Sequence, residues 1–215
     1  MPEADLVDSD VVFKLSCYDL GAAFQGTFEG REKPRRLGLA QFVLPKKIRK
    51  SSRVRDKDAA LRNLEVLLAW AEGVEPTDTE LALAAEIEDI ARTTNLAFDG
   101  GESQLLAVLL VRGPEKLYTG DKRAIVALRA ITVVLAREVE VAGRVVCFEQ
   151  VLMMLLELLG DKELAARVCR EADIDKTAAI CCGCASGGSD KGNMIDGLQS
   201  YIAHLREHSG TGLSA

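Results

Sequence analysis

Residues 116–135 read KLYTGDKRAIVALRAITVVL. Lys116–Tyr118 has the apolar and aromatic character of a strand. Thr119-Gly120-Asp121 is a turn, and from Lys122 to Leu135 the apolar residues recur at helical spacing. The same grammar appears on both sides. Downstream, the β-branched Arg144–Phe148 leads into an apolar helix at Glu149–Leu159. Upstream, a short apolar stretch (Leu96–Phe98) passes through Asp99-Gly100-Gly101-Glu102 into a helix at Ser103–Val111. At the start of the chain the apolar run Ala4–Val7 ends at Asp8-Ser9-Asp10, and the chain passes through a loop into a helix. Leu37–Leu44 alternates and is expected as a strand ended by Pro45, with residues 21–36 before it as a loop. Residues 58–72 and the stretch behind a Thr77/Glu80 capping box carry helical apolar stripes. Short strands alternating with helices imply an α/β fold with a parallel sheet, because parallel strands need crossover connections.

Composition supports this reading. Of 215 residues, 48% are hydrophobic and 28% charged, enough to bury a core and too apolar for a disordered chain. Aromatic content of 5% beside abundant Ala and Leu disfavours an all-β sandwich. The net charge of −6 argues against a protein that coats nucleic acid non-specifically. No stretch reaches the roughly 20 uninterrupted apolar residues needed to span a bilayer. The opening MPEADLVDSD lacks the features of a signal peptide. Three of the six cysteines crowd into Cys181–Cys184, unlike an evenly spaced disulfide framework. A cytoplasmic protein with reduced cysteines is expected.

After Gly160 the character changes: a polar amphipathic helix at Asp161–Ala172, a Gly/Ser/Cys loop at Cys181–Gly192 and a last helix at Met194–His208. The cluster Met153-Met154-Leu155-Leu156 reads as core or as the surface of a homodimer, and Trp70 as a packing residue.

Acidic residues fall where an α/β fold places its chemistry, at the carboxyl ends of strands and the starts of helices. Asp8 ends the first strand, Asp99 and Glu102 open a helix, and Asp121 follows another strand. Carboxylates gathered from separate elements repel one another, and a divalent cation neutralises them. Mg²⁺ or Mn²⁺ suits such hard oxygen donors. Asp99 with Glu102, and Asp121, also read as helix caps, and one residue can cap and ligate through different oxygens. Asp8 has no cap to make in the expected loop.

LVDSDVVFKL, FDGGESQLLAVLL and LYTGDKRAIVAL, in that order, resemble the PIN-domain nucleases. The resemblance covers roughly residues 4–150. It implies a PIN-like domain at 1–150 and a three-layer α/β/α sandwich with a parallel central sheet; the helical stretch that follows, outside the resemblance, is expected as a C-terminal extension at 151–215 packed on that domain. It also implies metal-dependent cleavage of single-stranded RNA, with Asp8, Glu102 and Asp121 as catalytic metal ligands and Asp99 as a fourth ligand. Ser9 and Thr119 would touch the phosphate or a metal-bound water. Many PIN domains carry another Glu after the second strand, whereas FVLPKKIRKSSR here has no acid. Small PIN proteins are often the toxins of toxin–antitoxin pairs, which implies an antitoxin partner.

Residues 31–57 hold eleven Lys/Arg against two acids (Glu32, Asp56), a local charge of +9 in a chain of net −6, so the remainder carries −15. Such asymmetry reads as a polyanion-binding edge, with Lys46, Lys47, Arg49 and Lys50 holding an RNA backbone, or as a solvated face or a dock for an acidic partner. Cys181 and Cys184, with His204 and His208 one helical turn apart, are a candidate zinc set, although buried free cysteines are the plainer reading. Two further functions fit parts of the sequence. Asp8-Ser9-Asp10 satisfies the D-x-D of a haloacid-dehalogenase-like phosphatase, which would form an aspartyl-phosphate. The missing acid after the second strand fits an inactive PIN-like binding module.

Overall fold

The computed structural model describes residues 4–215. Five short strands, β1 (Leu6–Val7), β2 (Arg35–Leu37), β3 (Glu72–Val74), β4 (Leu117–Thr119) and β5 (Val145–Cys147), form one sheet in the order β3-β2-β1-β4-β5. Every pairing is parallel, with Leu6 opposite both Arg35 and Leu117, and Leu117 opposite Val145.

Side chains alternate across the strands, so each strand feeds two cores. Leu6, Leu117, Val145 and Cys147 enter one; Val7, Tyr118 and Val146 enter the other. Helices α1 (Ser9–Cys17), α2 (Gly21–Gly26), α3 (Ala40–Lys50) and α4 (Lys57–Trp70) bury their apolar stripes in the Val7 core. Helices α5 (Asp78–Thr93), α6 (Gly100–Arg112), α7 (Lys122–Val134) and α8 (Glu138–Val141) do so on the Leu6 side. The chain thus winds from β1 to β3 with helices on one face and then from β4 to β5 with helices on the other, the pattern that right-handed crossovers require. The α/β expectation, with its parallel sheet between helical layers, is met.

Three local expectations are corrected. The strand expected at Leu37–Leu44 is only Arg35–Leu37, and α3 begins at Ala40 and runs through Pro45. Ala40, Leu44 and Ile48 bury one helical stripe, and proline's fixed φ suits a helix. The lost donor leaves the Gln41 carbonyl on an exposed turn, where water can serve it. The loop at 21–36 contains α2, whose Phe24 packs edge-on against Phe28, Trp70 and Tyr118. The third strand, Glu72–Val74, had no sequence signal: Glu and Gly disfavour strands, and only Val74 is buried.

Beyond β5, α9 (Phe148–Leu159), α10 (Asp161–Arg170), α11 (Lys176–Cys181) and the first half of α12 (Lys191–Ser209) share the Val7 core. Further along α12, Ile202 and Leu205 enter the other core, so this helix spans both layers beside β5. Leu213 then bridges to Val145, covering the sheet's outer edge. Cys169 and Cys184 form a disulfide, which corrects the expectation that all six cysteines are reduced; Cys17, Cys147, Cys181 and Cys182 are free and buried. No helix among the described residues is long and apolar enough to cross a membrane.

Candidate active site

Strand order reverses between β1 and β4, since β2 lies on one side of β1 and β4 on the other. Connections leave these two strands toward opposite faces, which opens a crevice at their carboxyl ends, the usual ligand position in an open α/β sheet. Asp8 and Thr119 sit on the two lips. Asp8 follows β1 directly and is the N-cap residue of α1, yet its side chain makes no capping bond. Instead its Oδ2 accepts the Thr119 hydroxyl at 3.1 Å, while its backbone N–H donates to the Tyr118 carbonyl at 2.8 Å. The expected loop after the first strand is therefore absent, and the carboxylate is aimed across the gap.

Asp99 and Glu102 form a reciprocal capping box at the start of α6: the Glu102 N–H donates to Asp99 at 2.9 Å, and the Asp99 N–H donates to Glu102 Oε2 at 2.7 Å. Asp121 caps α7, accepting from the N–H groups of Arg123 (2.8 Å) and Ala124 (3.3 Å) and from the Arg123 guanidinium (3.1 Å). Capping therefore accounts for local bonds at both places. It does not account for where Glu102 lies: Asp8, Glu102 and Thr119 line one small crevice walled by Phe98, Leu105, Leu117, Ala124 and Leu128, a lining that includes neither Asp99 nor Asp121.

Electrostatics reflect this convergence. Burial, followed by the charges of Asp10 and Asp99, pushes Asp8 up to about 6, despite the stabilising Thr119 hydrogen bond. Burial also pushes Glu102 up to about 8, with Asp99, Asp121 and Asp8 adding repulsion. For Asp121 burial is outweighed by the Arg123 and Ala124 hydrogen bonds, and its carboxyl is held below the usual range. The acids are neighbours but not yet at ligating distance. Among the described residues, only His204, Glu207 and His208 place three ligand atoms within 4.8 Å of one another.

Two proposed substrate residues are spent differently. Thr119 is buried and positions Asp8, while Ser9 is partly exposed and supports the Asp8 carboxylate through its backbone. Lys47 approaches Asp10 at 3.6 Å and lies over the Phe13 ring, which brings α3 up to the acidic end of the sheet. Lys46, Arg49 and Lys50 are exposed and make no ion pair among the described residues.

A buried network behind the crevice was not read from the sequence. Lys14 Nζ contacts Asp10 (2.7 Å), Asp175 (2.8 Å) and the Gly120 carbonyl (3.1 Å), over the Phe148 ring. Lys122 pairs with the buried Glu149 at 2.7 Å and donates to Thr177. A lone lysine inside VVFKLSC, four residues after Asp10, was the available signal.

The zinc set does not assemble. Cys184 is consumed by the disulfide, and Cys181 Sγ rests against α12 at Gly197. His204 and His208 lie about 10 and 16 Å further along that helix at 1.5 Å per residue. Compared with known proteins, the chain matches no family model, no curated protein and no solved structure.

Proposed function

We propose that the chain is a PIN-like ribonuclease that cleaves single-stranded RNA with Mg²⁺ or Mn²⁺. The observation behind the proposal is that Asp8 and Glu102, from two separate elements, line one crevice at the switch point of a parallel sheet, both raised by burial and by neighbouring acids, Asp10 and Asp99 for the first and Asp99, Asp121 and Asp8 for the second. Uncompensated carboxylates of this kind fit hard divalent cations. Asp8, Glu102 and Asp121 would hold the ion, with Asp99 as a further donor. Such an ion supplies an activated water and charge stabilisation for the phosphate. This chain's own residues do the positioning. Thr119 fixes the Asp8 rotamer, Arg123 and the α7 N-terminus hold Asp121, and the cations of α3 hold the RNA backbone beside the crevice. By the family resemblance, a protein antitoxin is the proposed partner.

A labelled single-stranded RNA incubated with protein and Mn²⁺ or Mg²⁺ tests this. Cleavage that stops with EDTA is expected. Intact RNA with either metal would leave a binding module.

The role of α3 is separately measurable. Changing Lys46, Lys47, Arg49 and Lys50 to Gln should weaken RNA binding and make its dependence on log salt shallower by about 0.7 per lost phosphate contact. Cleavage at saturating RNA should persist, because the acids are untouched and only ground-state holding is lost. An unchanged salt slope would remove the strip from the RNA path.

A further inference from the structure

We propose that Phe42 on α3 is a nucleobase-stacking subsite on the cationic stripe of that helix, an inference that rests on the nuclease reading and names how it would grip its substrate. Three apolar side chains of one short segment face solvent, Leu39 (60% exposed), Phe42 (61%) and Val43 (45%). They are not scattered. At 100° per residue, Leu39, Phe42, Val43, Lys46 and Lys50 fall on one stripe of the helix, opposite the buried Ala40, Leu44 and Ile48. The exposed stripe is thus apolar at its N-terminal end and cationic at its C-terminal end, with Arg49 on its flank.

Its place in the fold gives it an occupant. Helix α3 starts just after the carboxyl end of β2, which pairs with β1, so it begins on the same edge of the sheet as Asp8. Lys47, about 140° around the helix from Phe42 and outside the stripe, lies 3.6 Å from Asp10. A chain lying along this stripe would meet a flat ring and a row of ammonium groups. Single-stranded nucleic acid is built to match, with a π-face on every base and a charge on every phosphate, and proteins that bind it combine aromatic platforms with cationic grooves. A second copy of the chain fits poorly, because residues 38–51 contain no acid and a two-fold contact through this stripe would leave Lys46, Arg49 and Lys50 without counter-charges.

The test is fluorescence anisotropy of labelled oligouridine in EDTA, which stops cleavage, with wild type, Phe42→Ala, Phe42→Leu and Phe42→Trp. Phe42→Ala and Phe42→Leu should bind roughly tenfold more weakly and Phe42→Trp about as well as wild type, since one stacked base is worth that order. The salt slope should not change in Phe42→Ala, because no phosphate contact is lost. A 2-aminopurine placed in the oligonucleotide should be quenched by wild type and released by Phe42→Ala. Wild-type affinity in Phe42→Ala, or full affinity in Phe42→Leu, overturns the proposal. So does loss of an acidic peptide ligand in Phe42→Ala with RNA binding unaffected, which would assign the stripe to a protein partner. Cleavage with indifferent Phe42 variants sinks the subsite alone, whereas Phe42-dependent binding without metal-dependent cleavage sinks the nuclease reading alone.

Discussion

Asp8→Asn is expected to lower metal-dependent RNA cleavage by about 100-fold or more, the scale of losing one directed charge at a reacting phosphate, while making the metal-free protein more stable. The sign follows from the carboxylate's environment. Asp8 is raised from 3.8 to about 6, with burial as the largest cause, so the folded state binds its proton more tightly than the unfolded chain does. The favourable contribution of the protonated form is complete below about pH 4 and is lost as pH rises through about 6. Removing the group therefore gains little at pH 4 and on the order of 2–3 kcal/mol at pH 7 to 8. Thermal melts at both pH values, with and without Mg²⁺, would show it: Mg²⁺ should stabilise wild type at pH 8 and leave the variant nearly unmoved. Glu102→Gln should act in the same direction over a window reaching up to about 8. A sharp loss of metal-free stability in Asp8→Asn would make Asp8 a structural acceptor for Thr119 instead.

Lys14→Met should cost about 3–5 kcal/mol, the usual scale for breaking a buried ion pair from one side. Lys14 is 7% exposed and holds two carboxylates, Asp10 and Asp175, at 2.7 and 2.8 Å. Burial alone would lower its pKa; the two acids outweigh that and hold it above the usual lysine range. Without the ammonium, Asp10 keeps only the more distant Lys47, and Asp175 keeps the backbone N–H groups of Thr177 and Ala178. A melting temperature lower by on the order of 10 °C is expected. Adding Asp175→Asn should restore part of it, because one stranded charge is removed. A drop under 1 kcal/mol would mean that water reaches the pair. The same contact joins α1 to α11, so residues beyond 150 help to hold Asp10 beside the crevice.

Sequence patterns revealed the two strand–helix junctions that build the site because the hydrophobic period changes there within a few residues. At Val7–Asp8 and Thr119–Asp121 an apolar strand gives way to an acid and then to a helical stripe. A parallel sheet puts both of these junctions on one edge, whereas Glu102 opens a helix that follows α5 through a loop, with no strand before it. Pro45 misled the reading because proline interrupts a helix only where its missing donor matters. Lys14 and Asp175 lie in different parts of the chain, and only packing brings them together. Cys169 and Cys184 were equally illegible: one lies on α10 and the other beyond α11, and nothing in their spacing marks them as a pair.

A crystal of the protein soaked in Mn²⁺ and recorded at the manganese absorption edge tests the central claim most directly. An anomalous peak is expected between Asp8, Glu102 and Asp121, with the carboxylates drawn in to about 2.0–2.2 Å from the ion, the range of hard octahedral coordination. Bound manganese at His204, Glu207 and His208 with none between those acids would contradict it.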